Sequence, residues 1–476
     1  MQSTLPPFAV NPTEFAFPVP QSSLTFSRGY SSIDPDIRTP YVMNWSAGYQ
    51  RELWRNAAIE IRYVGNRGHN LWRSYDFNEV NIFENGFLDD FRNAQRNLAI
   101  NVANGRTGFA NNGLAGQVAL PIFEAAFGPR GSQPALAANS GFTSGTFITQ
   151  LQQGQAGTLA NTLAGTNIYL CRLVGNGLPA CDALGYNATG AQPINFFQAN
   201  PFAAGNAVRL LTDEARSEYD SLQLQFRQRY HNGLSLTANY TYGKARTDRY
   251  ADSASSQVDY TTLRDKSLNW APDVYDIRHV FQSYWTYELP FGRDRAVGID
   301  NAVLNHIAGG WALNGILRLQ TGRPFLLTSG RSTVNQRDAG VVLKGITAKE
   351  LQDMVSVRPG PNGAVYVFPE SLIGSDGRSN TELLAPPTTP GEFGEFIYLY
   401  APGLWNVDFG LAKQFDVATN KRVNFEILFI NAFNHRNTTV GGTGGATTSI
   451  TSDTFGQTTG TALNPRSIQL RLQFNW

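Results

Sequence analysis

Cysteine is almost absent from this chain: of 476 residues only Cys171 and Cys181 carry a thiol. An isolated close pair around the Gly-rich stretch Cys-Arg-Leu-Val-Gly-Asn-Gly-Leu-Pro-Ala-Cys reads as a disulfide pinching a loop, which implies an oxidising compartment. Closing such a loop would contribute roughly 2–3 kcal/mol in the entropic treatment. Two unrelated free thiols remain an alternative, and a two-ligand metal site is a weaker one, since no His lies near enough in sequence to complete it. No run of about 18 apolar residues occurs, which excludes helical membrane spans. Charge is scarce at 16%, against roughly 25% in ordinary soluble domains. A net charge of +1 gives no reason to expect nucleic acid or an acidic partner. The opening Met1-Gln2-Ser3-Thr4-Leu5-Pro6-Pro7 has neither a basic start nor an apolar core, so it is no signal peptide.

Aromatic residues, at 12%, are plentiful, and alternation of polar with apolar side chains runs through the chain. Successive side chains on a strand point to opposite faces, so alternation gives one wet and one greasy face. The last strand is the cleanest case: Ile468, Leu470, Leu472, Phe474 and Trp476 share the greasy face. Similar runs centre on Tyr41–Tyr49, Ile59–Tyr63, Leu222–Phe226, Leu234–Tyr242, Phe281–Leu289, Trp311–Leu319, Trp405–Leu411 and Val423–Phe429. With a weaker strand near Leu24–Arg28, about ten strands of bilayer-crossing length are expected. A mean hydropathy of −0.27 is compatible with a membrane barrel, because half of every strand faces water.

The connections separate a membrane barrel from a soluble sheet protein. Short ones fall at residues 53–56, 231–233 and 416–420, with an intermediate one at 290–309. Long ones fall between them, at about 76–215, 247–274, 329–395 and 434–464. That parity puts every long loop at one end of the strands, as outer-membrane barrels do with short periplasmic turns and long extracellular loops. Residues 1–40 read as an irregular segment with one weak strand, and 41–476 as the barrel portion. Tyr41, Trp54, Trp72, Tyr230, Tyr242, Trp285, Tyr287 and Trp476 fit interfacial girdle positions. Glu60, Arg62, Arg227, Arg318, Glu426 and Arg471 are predicted on the inner, wet face, since a lipid-facing charge at mid-bilayer costs about 2–4 kcal/mol. The long loops are rich in small polar residues, yet Phe123, Phe127, Phe142, Phe147, Phe196, Phe197 and Phe202 argue that the first one packs on something.

Catalytic chemistry finds little support. Asp273, Asp276 and His279 suggest a metal site, but Asp276 and His279 differ by three on a strand and so face opposite sides. Gly65-Asn66-Arg67-Gly68 lacks the strand–loop–helix context of a phosphate loop and reads as a strand end. Gly141-Phe142-Thr143-Ser144-Gly145 does not centre its serine as a nucleophile elbow does. The expectation is no enzyme, no catalytic or metal residues and no cofactor; substrate-binding residues are unknown.

Several ordered segments carry a family likeness. They are Asn44-Trp45-Ser46-Ala47-Gly48-Tyr49-Gln50-Arg51-Glu52-Leu53, Tyr63-Val64-Gly65-Asn66-Arg67-Gly68 and Tyr219-Asp220-Ser221-Leu222-Gln223-Leu224. Ala238-Asn239-Tyr240-Thr241-Tyr242-Gly243-Lys244-Ala245, Asp276-Ile277-Arg278-His279 and Tyr287-Glu288-Leu289-Pro290-Phe291-Gly292 follow. Gly310-Trp311, Thr321-Gly322-Arg323-Pro324-Phe325, Asn431-Ala432-Phe433-Asn434-His435, Phe455-Gly456 and Asn464-Pro465-Arg466 complete the series. Together they resemble the C-terminal barrel of TonB-dependent outer-membrane receptors of the Oar-like type, which carry a carboxypeptidase-regulatory-like N-terminal domain; the resemblance implies a 22-stranded plugged barrel taking up a bulky nutrient such as a siderophore, oligosaccharide or peptide. It implies partners too: outer-membrane lipid, the TonB energy-coupling complex, and the barrel-assembly machinery that engages the terminal aromatic. Nothing matches the plug or TonB box, so the expectation is a fragment that does not transport alone and whose export signal lies upstream. The alternative is a structural or adhesive outer-membrane barrel displaying long surface loops.

Overall fold

A computed structural model describes residues 28–54, 56–127, 140–165, 167–174, 192–200, 203–248, 259–293, 295–360, 364–418, 421–441, 445–458 and 460–475. Its main element is an antiparallel sheet of 11 strands. The principal strands are β1 (Arg28–Ile33), β2 (Tyr41–Trp54), β3 (Ala57–Asp76), β4 (Ala203–His231), β5 (Leu234–Thr247), β6 (His279–Glu288), β7 (Trp311–Gln320), β8 (Leu404–Ala418), β9 (Lys421–Ile430) and β10 (Ser467–Asn475). Strands β2 to β10 follow one another as a meander, each paired with its neighbours in the chain, while β1 pairs with β4 and the two-residue strand Ala271–Pro272 with β5. Among the described residues the outermost strands, β2 and β10, are not paired to each other, so the sheet is an open barrel wall. Residues 24–27 of the weak first strand lie outside the described residues, as does Trp476.

The connections alternate as the sequence predicts. At one end lie residues 55–56, 232–233, 289–310 and 419–420; at the other lie 77–202, 248–278, 321–403 and 431–466. The turn after β4 uses Asn232 and Gly233 with φ of 49° and 85°, the left-handed pair that a tight hairpin requires. Strands β3 and β4 are 20 and 29 residues long, well beyond the 9–11 that cross a bilayer. Gly65-Asn66-Arg67-Gly68 therefore sits inside β3 rather than at its end, opposite Trp45, Asn44, Met43 and Val42.

Described residues within 76–210 and 333–336 form a compact unit of their own, together with residues 28–32. It contains the helices α1 (Phe87–Ala103), α2 (Pro121–Phe127), α3 (Gly145–Gln152), α4 (Ala156–Gly165) and α5 (Asn167–Val174). Helix α1 buries Phe87, Phe91, Ala94 and Leu98, one stripe at helical spacing. Against it pack Phe109, Phe123, Phe127, Phe147, Phe196 and Phe197, all buried; Phe202 lies outside the described residues. The rings meet edge to face, as Phe87–Phe197 and Phe127–Phe142 do at 5.1 and 5.0 Å. Cys171 is buried on α5, and Cys181 lies outside the described residues. Thr333–Gln336 joins this unit: the Gln336 side chain accepts from the Val80 N–H at 2.9 Å, and Asn335 donates to Glu79 at 2.8 Å. Gly157 makes room for it, since a Cβ there would stand 2.1 Å from the Asn335 carbonyl oxygen.

The other unit contains the sheet from Ile33 onward and the remaining connections. Residues 321–403 and 431–466 share a second core of Phe325, Leu327, Val367, Phe368, Leu372, Leu399, Ile450 and Phe455. Short paired strands tie it together: Pro324–Leu326 with Tyr398–Tyr400, Val342–Leu343 with Leu384–Ala385, and Val365–Tyr366 with Gln457–Thr458. Leu384–Ala385 stops where Pro386-Pro387 removes two ladder donors. The short helix Ala348–Asp353 opens with a capping box of Thr347 and Glu350.

A buried carboxyl makes the helical unit sensitive to pH. Asp90 on α1 accepts from the Ile122 and Phe123 N–H groups at 3.0 and 3.2 Å, closing the first turn of α2. Burial pushes its carboxyl up to about 6. A group whose folded pKa is raised holds its proton more tightly when folded, so its contribution is complete below about 4 and is lost as pH rises through about 6. Two units correspond to roughly 2–3 kcal/mol. Hydrogen-exchange protection of α1 and α2, corrected for intrinsic rates, is expected to fall between pH 4 and pH 7, and Asp90→Asn to flatten that change. Protection rising with pH in the native chain would contradict this assignment.

Candidate functional site

The working surfaces of this chain are the two faces of its sheet. Register fixes them strand by strand. In β9 and β10, Val423, Phe425, Ile427 and Phe429 stand opposite Phe474, Leu472, Leu470 and Ile468. The same face continues through Phe409 and Leu411 on β8, and Leu313 and Leu317 on β7. Trp285 and Tyr287 on β6, Leu234 and Leu236 on β5, and Leu222, Leu224 and Phe226 on β4 extend it. On β3 and β2 it carries Ile61 and Tyr63 opposite Tyr49 and Ala47. Ile468, Leu470, Leu472 and Phe474 are more than half exposed, Leu470 at 72%. Leu234 to Tyr242 along β5 are nine residues of unbroken alternation, about the length with which a tilted strand crosses a bilayer. This is the lipid face.

The opposite face is polar. Ser235, Thr237, Asn239 and Thr241 on β5 lie beside Thr286, Tyr284, Gln282 and Val280 on β6. Arg318 stands between Gln282 and Asn406, Arg227 opposite Thr237, Glu60 opposite Gln50 and Arg62 opposite Gly48. Glu426 pairs with Arg471 at 4.0 Å. Every charge assigned to the wet face from the sequence is therefore on it. Two concavities open on this face, one of roughly 360 Å³ lined by Thr237, Tyr284, Thr286, Asn314 and Asp408 among others. The second, roughly 120 Å³, lies among Glu60, Arg62, Gln223, Gln225, Asn239 and Thr241. A hollow polar face is what an inner barrel wall presents.

Small residues on the lipid face receive large rings from the next strand. A Cβ on Gly65 or Gly315 would stand 2.3 Å from the indole of Trp45 or Trp285 respectively. Each tryptophan lies flat across the glycine of its partner strand, covering backbone that hydrocarbon would otherwise meet. At the short-turn end of β2 the register shifts between Glu52 and Trp54. That bulge brings Trp54 to within 6.1 Å of the Phe226 ring on the lipid face. Tyr41, Trp54, Trp72, Tyr230 and Tyr242 are exposed, as interfacial girdle positions require.

Sequence alternation missed the charges on the lipid face. Lys413 stands opposite Trp311 and Phe425 on that face, yet is only 4% exposed. Its ammonium donates to the His306 and Ile307 carbonyl oxygens at 2.6 and 2.8 Å and lies 5.1 and 5.0 Å from the Trp311 and Phe415 rings. Asp220 is another case: it accepts from the Tyr63 hydroxyl at 2.6 Å and from Arg67 at 2.9 Å, while Arg67 lies 5.3 Å from the Trp45 ring. Both charges are matched by close partners, which relieves the desolvation penalty. Both signals are invisible to periodicity, because the partners lie on other strands or in a connection.

Toward the long-connection end a polar lock joins β6 to the loop core. Asp276 is buried, accepts from the Ala245 N–H at 2.8 Å and from the Tyr400 hydroxyl at 2.5 Å, and pairs with Arg278 at 3.1 Å. Burial and the neighbouring Asp276 carboxylate push the Tyr400 hydroxyl up to about 12. Asp276 lies in a turn before β6 begins at His279, so strand parity does not separate the two; their different partners do. His279 contacts the Tyr240 hydroxyl at 2.7 Å instead. Among the described residues no group of three or more His, Cys, Asp or Glu could hold a metal ion. Within the long connections a cavity of roughly 540 Å³ is lined by Arg358, Tyr366, Phe368, Glu370 and glycine backbone.

The face assignment makes a direct prediction. Leu470→Arg is expected to lower stability of the protein in lipid by about 2–4 kcal/mol, whereas Gln469→Arg on the wet face is expected to stay within about 0.5 kcal/mol. Urea titration of the membrane-inserted protein measures both, and equal losses would overturn the assignment.

Among solved structures, similar chains include the outer membrane transporter YddB from Escherichia coli, at 9% identity and a TM-score of 0.38, with 94% of this chain and 34% of that one covered. Others are P. aeruginosa FpvA bound to heterologous pyoverdines (8%, 0.30, covering 90% and 26%) and the FrpB iron transporter from Neisseria meningitidis (8%, 0.30, covering 86% and 29%). The chain thus spans about a third or less of the length of these structures. No curated protein matches it. A sequence-family match, described as an outer membrane beta barrel domain, covers residues 2–469. With one face built for hydrocarbon, the other for water, and nearly the whole length matched, this chain belongs to the outer membrane beta barrel domain family and resides in the outer membrane.

Proposed function

We propose that this chain is the C-terminal barrel wall of a TonB-dependent receptor of the Oar-like type, which takes up a bulky nutrient using energy supplied from the inner membrane. The observation that carries the reading is the pair of open edges. Among the described residues, strands β2 and β10 leave their outer ladders unpaired, and hydrocarbon tolerates no unpaired strand edge. Further strands from the same protein are therefore needed to close the cylinder. The ordered motifs from Asn44 to Arg466 support the receptor family as the source of those strands. The hollow polar face suits a wide lumen that holds a plug, and the plug and TonB box would lie upstream. On this reading the wall alone does not transport, and its role is to conduct rather than to catalyse. The substrate class is a siderophore, an oligosaccharide or a peptide.

One observation favours a second reading, in which a structural or adhesive barrel displays its loops. The connections 321–403 and 431–466 build a core of their own, as a displayed domain would. Uptake of labelled nutrients separates the two. Cells lacking the intact protein are expected to lose energy-dependent uptake of one nutrient class, an uncoupler to abolish the same uptake in normal cells, and adhesion to be unchanged. Unaltered uptake of every class together with lost adhesion would replace the receptor reading with the adhesive one.

A further inference from the structure

The connection between β6 and β7 contains a short helix, α6 (Ala302–Ala308), whose apolar side chains face outward. Val303, Leu304 and Ile307, on one face of the helix, are 67%, 57% and 64% exposed. Phe291 and Val297 in the same connection, joined by a backbone bridge, are exposed as well. A water-soluble connection has no reason to present five large apolar side chains.

The helix is docked on the lipid face of the sheet. The Trp311 indole N–H donates to the Ile307 carbonyl oxygen at 2.9 Å, and the His306 ring lies 5.8 Å from Phe415. Lys413, the buried charge of the lipid face, donates to the His306 and Ile307 carbonyl oxygens at the C-terminal end of the helix. Those carbonyls have no partner within a helix that stops there, and they carry its negative end. Its N-terminus is closed by Asn301, which accepts from the Val303 and Leu304 N–H groups. The apolar helix face is thus continuous with the apolar sheet face that the outer membrane covers, and it lies at the short-connection, periplasmic end.

We propose that α6 is an interfacial anchor, lying in the periplasmic leaflet of the outer membrane with Val303, Leu304 and Ile307 among the acyl chains and Lys413 as its latch to the barrel wall. Interfacial helices bury an apolar face at the boundary between headgroups and acyl chains. The exposed Arg293, whose N–H is held by Asn305 at 2.7 Å, supplies a cation in the same connection suited to phospholipid phosphates. The inference does not depend on what the barrel transports.

The test uses outer-membrane vesicles carrying the intact protein with a nitroxide at Leu304→Cys or Ile307→Cys, the unsubstituted protein serving as a blank for Cys171 and Cys181. Collision rates with oxygen, which concentrates in lipid, and with a water-soluble nickel chelate are compared. Leu411→Cys is the lipid-face reference and Thr286→Cys the wet-face reference. Labels at both helix positions are expected to favour oxygen several-fold, as at Leu411→Cys. Labels favouring the nickel chelate, or shielded from both reagents by a protein neighbour, would overturn the proposal. Lys413→Met is expected to free the label at Leu304→Cys, giving a more mobile spectrum with greater nickel access; an unchanged spectrum would refute the latch.

Discussion

Hydrocarbon offers a backbone no hydrogen-bonding partner, and this structure is organised around that constraint. A strand can cross the bilayer only with both ladders satisfied by neighbours and with every second side chain apolar. The meander from β2 to β10 meets the first condition along its whole interior, since each strand pairs with the one before and the one after. It meets the second by register, which aligns apolar side chains with apolar ones across each pair: Ile427 with Leu470 and Leu411, and Leu236 with Trp285. A slip of one residue in any pair would turn a polar row into lipid. The two outermost ladders are the places where the condition is still open.

The exceptions to the apolar rule are as informative as the rule. Lys413 tolerates the lipid face because two helix carbonyls and two aromatic rings replace water around its ammonium. Asp220 does so through Tyr63 and Arg67. Gly65 and Gly315 leave bare backbone in the same environment, and tryptophans from neighbouring strands cover it. In each case the compensation comes from a different strand or connection, so the lipid face works as a connected surface. Outside the hydrocarbon the physics changes, and so does the architecture. Phenylalanines build a compact helical unit between β3 and β4, and the later long connections form their own buried core around Phe368 and Phe455.

Period-two alternation was enough to find the strands and to place Glu60, Arg62, Arg227, Arg318, Glu426 and Arg471 on the wet face, because a strand's side-chain direction is a local property. Connection lengths gave the ordering of the strand ends, because consecutive antiparallel strands reverse direction at every connection. The phenylalanines of the first long connection pointed to packing, but its helices were not legible: their apolar positions are spread among Asn, Gln and Gly, and the core they form is assembled from distant segments, including Thr333–Gln336. Gly65-Asn66-Arg67-Gly68 looked like a strand end because glycine normally punctuates strands. Its interior position became intelligible only with Trp45 in view. Lys413 and α6 were missed because neither has a meaning alone; the lysine looks misplaced and the helix looks exposed until the two are brought together. The disulfide expected between Cys171 and Cys181 falls partly outside the described residues.

The central claim is that one face of this sheet touches lipid and the other touches water. It is tested most directly by cysteines placed singly at each position from Leu234 to Tyr242 on β5, in the native outer membrane, and probed with lipid-soluble and water-soluble reagents. The account predicts strict alternation, with Leu234, Leu236, Ala238, Tyr240 and Tyr242 reached from lipid and Ser235, Thr237, Asn239 and Thr241 reached from water. Uniform access to the water-soluble reagent along the strand, or the reverse alternation, would contradict it.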